Sequence, residues 1–212
     1  MIPSREALQR MRDGNRRFVA SVRDSDRFLH SRRPELTSNQ EPVAIVLGCS
    51  DARVPAEIVF DQGLGDLFVI RVAGNIVAPS QVGSVEFAAS RFGTSLVVVL
   101  GHTDCGAVQA TLEDVKSGPS HSPNLRSIVD RIRPAVETVM ASAPNDEARA
   151  MRLAVRANVR ASANHLRHGS ALLERLIIDG KLMVVGAEYS IATGEVDFFD
   201  LPAASEIGAW TS

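Results

Sequence analysis

Pro42-Val43-Ala44-Ile45-Val46-Leu47-Gly48-Cys49 decides the fold: a short apolar run, then glycine, then a cysteine. Three more runs share its character, at residues 67–72, 96–100 and 182–186. None alternates cleanly between apolar and polar, the pattern of strands covered on both faces. Between the second and third runs lies a helical pattern over 79–92, with Val82, Val85, Ala89 and Phe92 on one face. Strand, helix, strand in that order predicts a mostly parallel sheet with crossover connections.

The rest of the chain arranges itself around this unit. Residues 4–22 read as an amphipathic helix, with Ala7, Leu8, Met11, Phe18, Val19 and Val22 at helical spacing. Residues 23–41 are charged and irregular, broken by Pro34 and closed by Pro42, and read as a connecting arm. Helices are expected over 106–116, 125–140, 146–168 and 171–178, with a kink or break at Pro134. Thr193-Gly194 reads as a hairpin turn into an edge strand over 196–199. The expected fold is a single α/β domain. A mostly parallel central sheet is flanked by helices, with an antiparallel edge strand and an N-terminal helical arm. Residues 1–41 form the arm, part of the same domain, and 42–212 its α/β body.

Composition narrows the function. A formal net charge of -2 over 212 residues gives no electrostatic footprint for nucleic acid or an acidic membrane. Neither an early apolar segment nor a stretch of about 18 apolar residues occurs, so neither a standard secretion signal nor a membrane span is expected. The default location is the cytoplasm. The glycines at 63, 65, 74 and 83 form no phosphate-cradling motif and are assigned to turns and close backbone approach.

The chemistry concentrates at two strand ends. The first run ends in Cys49-Ser50-Asp51-Ala52-Arg53 and the third in His102-Thr103-Asp104-Cys105. Ligand sites in parallel sheets lie outside the carboxyl ends of the strands. If the two strands are neighbours, Cys49, His102 and Cys105 converge. Two thiolates and an imidazole suit zinc, and three protein ligands leave a fourth position open, as in catalytic sites. A Cys49–Cys105 disulfide is the competing reading, disfavoured in a reducing compartment, and two inert buried thiols the blandest one. His30, His121, His165 and His168 lie in polar or helical surroundings and read as surface residues. Asp51 and Arg53 read either as a surface ion pair or as a pair above the metal. In the second case a bidentate Arg53 holds the Asp51 carboxylate off the ion.

At this point the sequence resembles a known family. Cys-Ser-Asp-Ala-Arg-Val-Pro at 49–55 and Gly-His-Thr-Asp-Cys-Gly-Ala-Val at 101–108 resemble the two signatures of beta-class carbonic anhydrases. Residues 61–75 and Gly83-Ser84-Val85-Glu86-Phe87 resemble the segments between them, and the likeness runs in order from about 43 to 116. It implies Zn²⁺ on Cys49, His102 and Cys105, with Asp51 and Arg53 as the catalytic dyad. It implies Gln62 as a hydrogen-bond partner of substrate, often across a subunit boundary, and Gly106 as a backbone N–H donor near substrate. It also implies a homodimer or homotetramer, with the N-terminal helix wrapping the partner. Ala52 departs from the family's usual serine but touches none of these roles. A second bicarbonate site found in one subgroup is not expected, because its arginine position falls on Ile58 and the sole tryptophan is Trp210.

The implied reaction is the reversible hydration of carbon dioxide to bicarbonate and a proton by a zinc-bound hydroxide. Carbonic anhydrases are themselves the standard example of zinc acidifying water in this way. Either Asp51 or water fills the fourth zinc position, with Asp51 the ligand at low pH. Two other readings stay open: a hydrolase of carbon disulfide or carbonyl sulfide on the same scaffold, and a non-catalytic zinc-stabilised binding module.

Overall fold

The computed structural model describes residues 2–21, 36–37, 39–118, 122–142 and 146–202. Val22, His30, Pro34, His121 and Trp210, and with them most of the expected connecting arm, lie outside the described residues.

Five strands form one sheet: β1 Ala44–Gly48, β2 Leu67–Arg71, β3 Leu96–His102, β4 Met183–Tyr189 and β5 Val196–Asp200. Their order is β2-β1-β3-β4-β5. The first four are parallel, and β5 pairs antiparallel with β4. The chain leaves β1 for β2 on one side and leaves β3 for β4 on the other. The strand order therefore reverses between β1 and β3, and such a switch point opens a crevice at the carboxyl ends.

The apolar runs are continuous because the sheet is covered on both faces. Ala44, Val46, Val98, Leu100, Val185 and Ala187 point to one face, where Ala7, Leu8 and Met11 of α1 (Ser4–Val19) and Val59 of α2 (Ala56–Val59) pack. Ile45, Leu47, Val97, Val99 and Val184 point to the other. That face is covered by α3 (Pro79–Arg91), α6 (Glu147–His168) and α7 (Ala171–Ile178) through Val85, Ala88, Val159, Ala163, Leu166 and Leu173. A third apolar cluster sits beyond the strand ends. It joins Cys49 and Cys105 to Val108 and Leu112 of α4 (Gly106–Ser117), Ile132 and Val136 of α5 (Pro123–Ser142), and Ala154 and Val155 of α6.

Local signals explain most boundaries. Pro79 starts α3 at a position where its missing N–H costs nothing. The side chains of Asp146 and Ser170 cap α6 and α7 by accepting from the N–H groups of Arg149 and Leu173. Pro134 does not break α5, which runs as one helix. An interior proline costs about 3 kcal/mol, but Val129, Ile132, Val136 and Val139 are buried along one face of this helix. At about 1.5–3 kcal/mol for each fully buried side chain, that face outweighs the loss.

α1 lies on the body of its own chain. Asn15 donates to the carbonyls of Val59 and Gly194 and accepts from the Val196 N–H. Arg17 pairs with the buried Asp61 at 2.6 Å.

Candidate metal centre

The switch point brings together the residues that the two strand ends carry. Gly48 of β1 stands in register with Leu100 of β3, so Cys49 emerges beside the end of β3, where His102 is the last strand residue. Cys105 follows three residues later as the N-cap of α4. The ligand atoms of Cys49, His102 and Cys105 all lie within 4.8 Å of one another. The two cysteines are free and buried, not joined in a disulfide.

The donor set fits a zinc ion. His102 is fully buried, and its Nδ1 faces the Thr103 carbonyl at 2.9 Å. That contact places the proton on Nδ1 and leaves Nε2 with a lone pair for a metal. Nε2 has no hydrogen-bond partner among the described residues. An orphaned buried nitrogen facing two thiols is costly in a protein without a cation and is accounted for by one.

Charge at the cluster favours anionic sulfur. The neighbouring Cys105 thiol, then His102 and the Gly74 and Asp51 N–H groups, hold Cys49 well below the ordinary thiol range, against the effect of burial. Cys105 is pushed up, first by the neighbouring Cys49 and then by burial, while the Val108 and Ala107 N–H groups at the start of α4 pull it down. Cys49 is thus the readier thiolate of the pair, and a divalent cation would displace the proton that remains on the other sulfur. Burial pushes the His102 imidazole down, but the adjacent Cys49 sulfur, the Thr103 carbonyl and Asp51 raise it overall.

Above the cluster stand Asp51 and Arg53. The guanidinium grips both carboxylate oxygens, Nε to Oδ1 at 2.9 Å and Nη2 to Oδ2 at 2.7 Å, and the Arg53 N–H adds a bond of 3.0 Å to Oδ1. This fork holds the Asp51 carboxyl far below the usual carboxylate range, burial opposing. Oδ2 lies 3.8 Å from His102 Nε2, too far for a hydrogen bond but close to the point where the three ligand atoms meet.

Gly106 is the first residue of α4, and a Cβ added there would point into open space. Gln62 is not drawn into the cluster. It is fully buried, donates to the Phe60 and Asp61 carbonyls and accepts from Arg10 at 2.9 Å, so it faces α1. Ile58 is partly exposed beside it on α2.

Sequence reading missed three supports. Arg71, the last residue of β2, donates to the carbonyls of Cys49 and Asp51 at 3.0 and 2.7 Å and fixes the loop that carries both. Its signal was a single charge closing an apolar strand. The Gly74 N–H donates to Cys49 Sγ at 3.3 Å. Gly74 has φ +70°, and a Cβ there would come within 2.7 Å of Ile132 Cδ1, so only glycine serves. Asn158 and Ser162, polar residues four apart on the apolar stripe of α6, bind the carbonyls of Gly74 and Asn75.

Comparison with known proteins agrees with this geometry. The sequence pattern of the carbonic anhydrase family matches residues 44–196. The carbonic anhydrase of Mycolicibacterium smegmatis is 38% identical over 193 residues, covering 90% of this chain and 91% of that protein. Among solved structures, the beta-carbonic anhydrase CafA of Aspergillus fumigatus superposes with a TM-score of 0.73 at 26% identity, over 85% of this chain and 86% of that one. A tetrameric beta-carbonic anhydrase of Sordaria macrospora shares the fold, with a TM-score of 0.72 at 23% identity over 82% and 89% of the two chains. With its signature residues gathered at the switch point of this sheet, the chain belongs to the beta-class carbonic anhydrase family.

Proposed function

We infer that this carbonic anhydrase interconverts carbon dioxide and bicarbonate at a Zn²⁺ held by Cys49, His102 and Cys105, with Asp51 and Arg53 as its catalytic dyad. The observation that carries the reading is the Asp51–Arg53 fork standing over three buried soft donors. A metal with a purely structural role has no need of such a pair.

When bound, zinc supplies the Lewis acidity that makes water a nucleophile near neutral pH, the role for which carbonic anhydrases are the standard example. The chain's own residues do the rest. Arg53 occupies both Asp51 oxygens and so holds the carboxylate away from the metal while leaving it ionised. In that state Asp51 accepts a hydrogen bond from incoming water and orients it toward the carbon. Released from the Arg53 fork, Asp51, whose Oδ2 lies 3.8 Å from His102 Nε2, would itself serve as a ligand, and this is the resting state proposed for low pH. The Gly106 N–H, at the positive end of a 12-residue helix, is the backbone donor proposed for the oxygen on which negative charge grows as bicarbonate forms.

Gln62 is committed to its own α1, so a substrate contact by this residue is proposed only across a subunit boundary, in a homodimer or homotetramer. The tetrameric Sordaria relative supports such an assembly. No helix among the described residues is long and apolar enough to cross a membrane. Two free thiols within reach of each other fit a reducing compartment, and the cytoplasm is the proposed location.

The test is stopped-flow carbon dioxide hydration with and without a zinc chelator, run beside sulfide release from carbon disulfide and carbonyl sulfide. Hydration should vanish on chelation and return with added Zn²⁺. Hydration indifferent to chelation would remove the metal from the reaction. Sulfide release faster than hydration would transfer the site to the other substrates. Bound zinc without either activity would make it a binding module.

A further inference from the structure

The inward face of α6 is apolar, with Ala154, Val155, Val159, Ala163 and Leu166 buried along it. Two polar residues interrupt it one turn apart, Asn158 and Ser162, and both are buried. Buried polar groups on such a face persist when they have partners to satisfy. Here the partners are two consecutive backbone carbonyls. Asn158 Nδ2 donates to the Gly74 oxygen at 2.8 Å, and Ser162 Oγ donates to the Asn75 oxygen at 3.0 Å.

The segment they grip is not relaxed. Gly74 and Asn75 both have positive φ, at +70° and +44°. The left-handed region is unfavourable for a residue with a side chain and persists only where its surroundings enforce it. What the turn achieves is the placement of one donor, the Gly74 N–H, on Cys49 Sγ at 3.3 Å. Ile132 and Ala107 close the space on the Gly74 α-carbon side. The turn is therefore held by packing on one side and by α6 on the other.

We propose that Asn158 and Ser162 are positioning residues of the metal centre, fixing the Gly74–Asn75 turn so that its N–H···S bond sets the donor strength and direction of the Cys49 thiolate. The proposal rests on Cys49 being a metal ligand. It assigns to a helix outside the signature segments the task of tuning one of the two sulfurs. Cys105 is supported separately, by the amides of its own helix. Outer hydrogen bonds of this kind orient ligands and alter metal affinity and ligand basicity.

Cobalt(II) substitution gives the direct readout, because the energy of the thiolate-to-cobalt charge-transfer band follows the electron density on sulfur. Asn158→Leu and Ser162→Ala remove one donor each, and Ser162→Thr keeps the hydroxyl. Leu96→Ala, at the far end of β3, supplies comparable core damage away from the site. With a weakened N–H···S bond the sulfur is richer in electrons. The band of Asn158→Leu and Ser162→Ala should move to longer wavelength, and zinc affinity in chelator competition should fall roughly ten-fold. Ser162→Thr should stay with the parent, and Leu96→Ala should lose stability without moving the band. Superimposable bands in Asn158→Leu and Ser162→Ala, or an equal shift in Leu96→Ala, would overturn the assignment while leaving Cys49 a ligand. A parent protein that takes up cobalt without any thiolate band would instead remove Cys49 from the metal, and the positioning role with it.

Discussion

The two segments that meet at the centre are built differently. On the β3 side the ligands are anchored mainly by a strand end and a helix start. His102 ends a strand in register with Tyr189, the Thr103 N–H bonds the Tyr189 carbonyl, the Thr103 hydroxyl takes the Ile191 N–H, and Cys105 caps a helix. On the β1 side, residues 49–55 form no strand or helix. That loop is held by two guanidinium groups: Arg71 on the carbonyls of Cys49 and Asp51, and Arg53 on the Asp51 carboxylate. The Arg53 side chain is 53% exposed, whereas His102 is fully buried. Buried backbone bonding gives a rigid ligand platform. Exposed side-chain bonds compete with water and can be exchanged, which suits the proposed role of Asp51 as a carboxylate that is held off the metal or released to it. Damage to the β3 side should therefore cost the metal, and damage to the arginine bonds that hold Asp51 in the β1 loop should cost turnover with the metal in place.

The sharpest way to break this contrast begins with the rigid side. His102→Ala should leave zinc well below one equivalent by elemental analysis and return hydration to the uncatalysed rate, a loss on the order of a million-fold. A zinc-replete, active His102→Ala protein would mean that the β3 side is not the platform. Next comes Arg53→Ala, which should keep a full equivalent of zinc and lose about 10²–10³-fold in turnover, the usual cost of removing one preorganised polar group. Wild-type hydration rates in this variant would take the dyad out of the mechanism. Loss of zinc would erase the distinction between the two sides.

Much of this was legible in the residues, and for physical reasons. A strand covered on both faces must be apolar throughout, so Ala44–Gly48 and Leu96–His102 announce themselves, and cysteine and histidine at their ends are chemically conspicuous. What could not be read is recognition by backbone. The Gly74 N–H that meets Cys49 leaves no mark in the sequence except a glycine among fifteen. Arg71 reads as the close of a strand until the Cys49 and Asp51 carbonyls are seen in front of it. The four-residue α2 is too short for any periodicity. α1 showed its apolar stripe, but the surface it covers depends on Asn15, Arg10 and Arg17 finding partners some 44 to 181 residues away.

A subtler variant sharpens the comparison within the β1 loop itself. Arg71 spans two carbonyls with one planar fork, a geometry lysine does not reproduce. Arg71→Lys should retain zinc and lose roughly ten- to a hundred-fold in turnover, the equivalent of one charge-assisted hydrogen bond of about 1.5–3 kcal/mol. Double-mutant analysis with Arg53→Ala should show less than additive loss, because both arginines act on the same short loop. Full additivity would mean that Arg71 supports the sheet edge and not the loop.

The smallest effect concerns stability in acid, and its sign follows from Asp51. Arg53 holds the Asp51 carboxyl below its ordinary value of 3.8, so the folded state binds this proton more weakly than the unfolded chain does. The pair's contribution to stability is therefore complete above that value and is lost as pH falls through the lowered one. Urea unfolding of metal-free wild type and Arg53→Ala should differ modestly and constantly from pH 7 to 5, with the gap closing below about 4. Exposure of Arg53 keeps the gap small. A gap that widens in acid would mean that Asp51 is protonated in the folded protein and that the fork does not hold it ionised. The loop would then lack the exchangeable carboxylate on which its contrast with the β3 side depends.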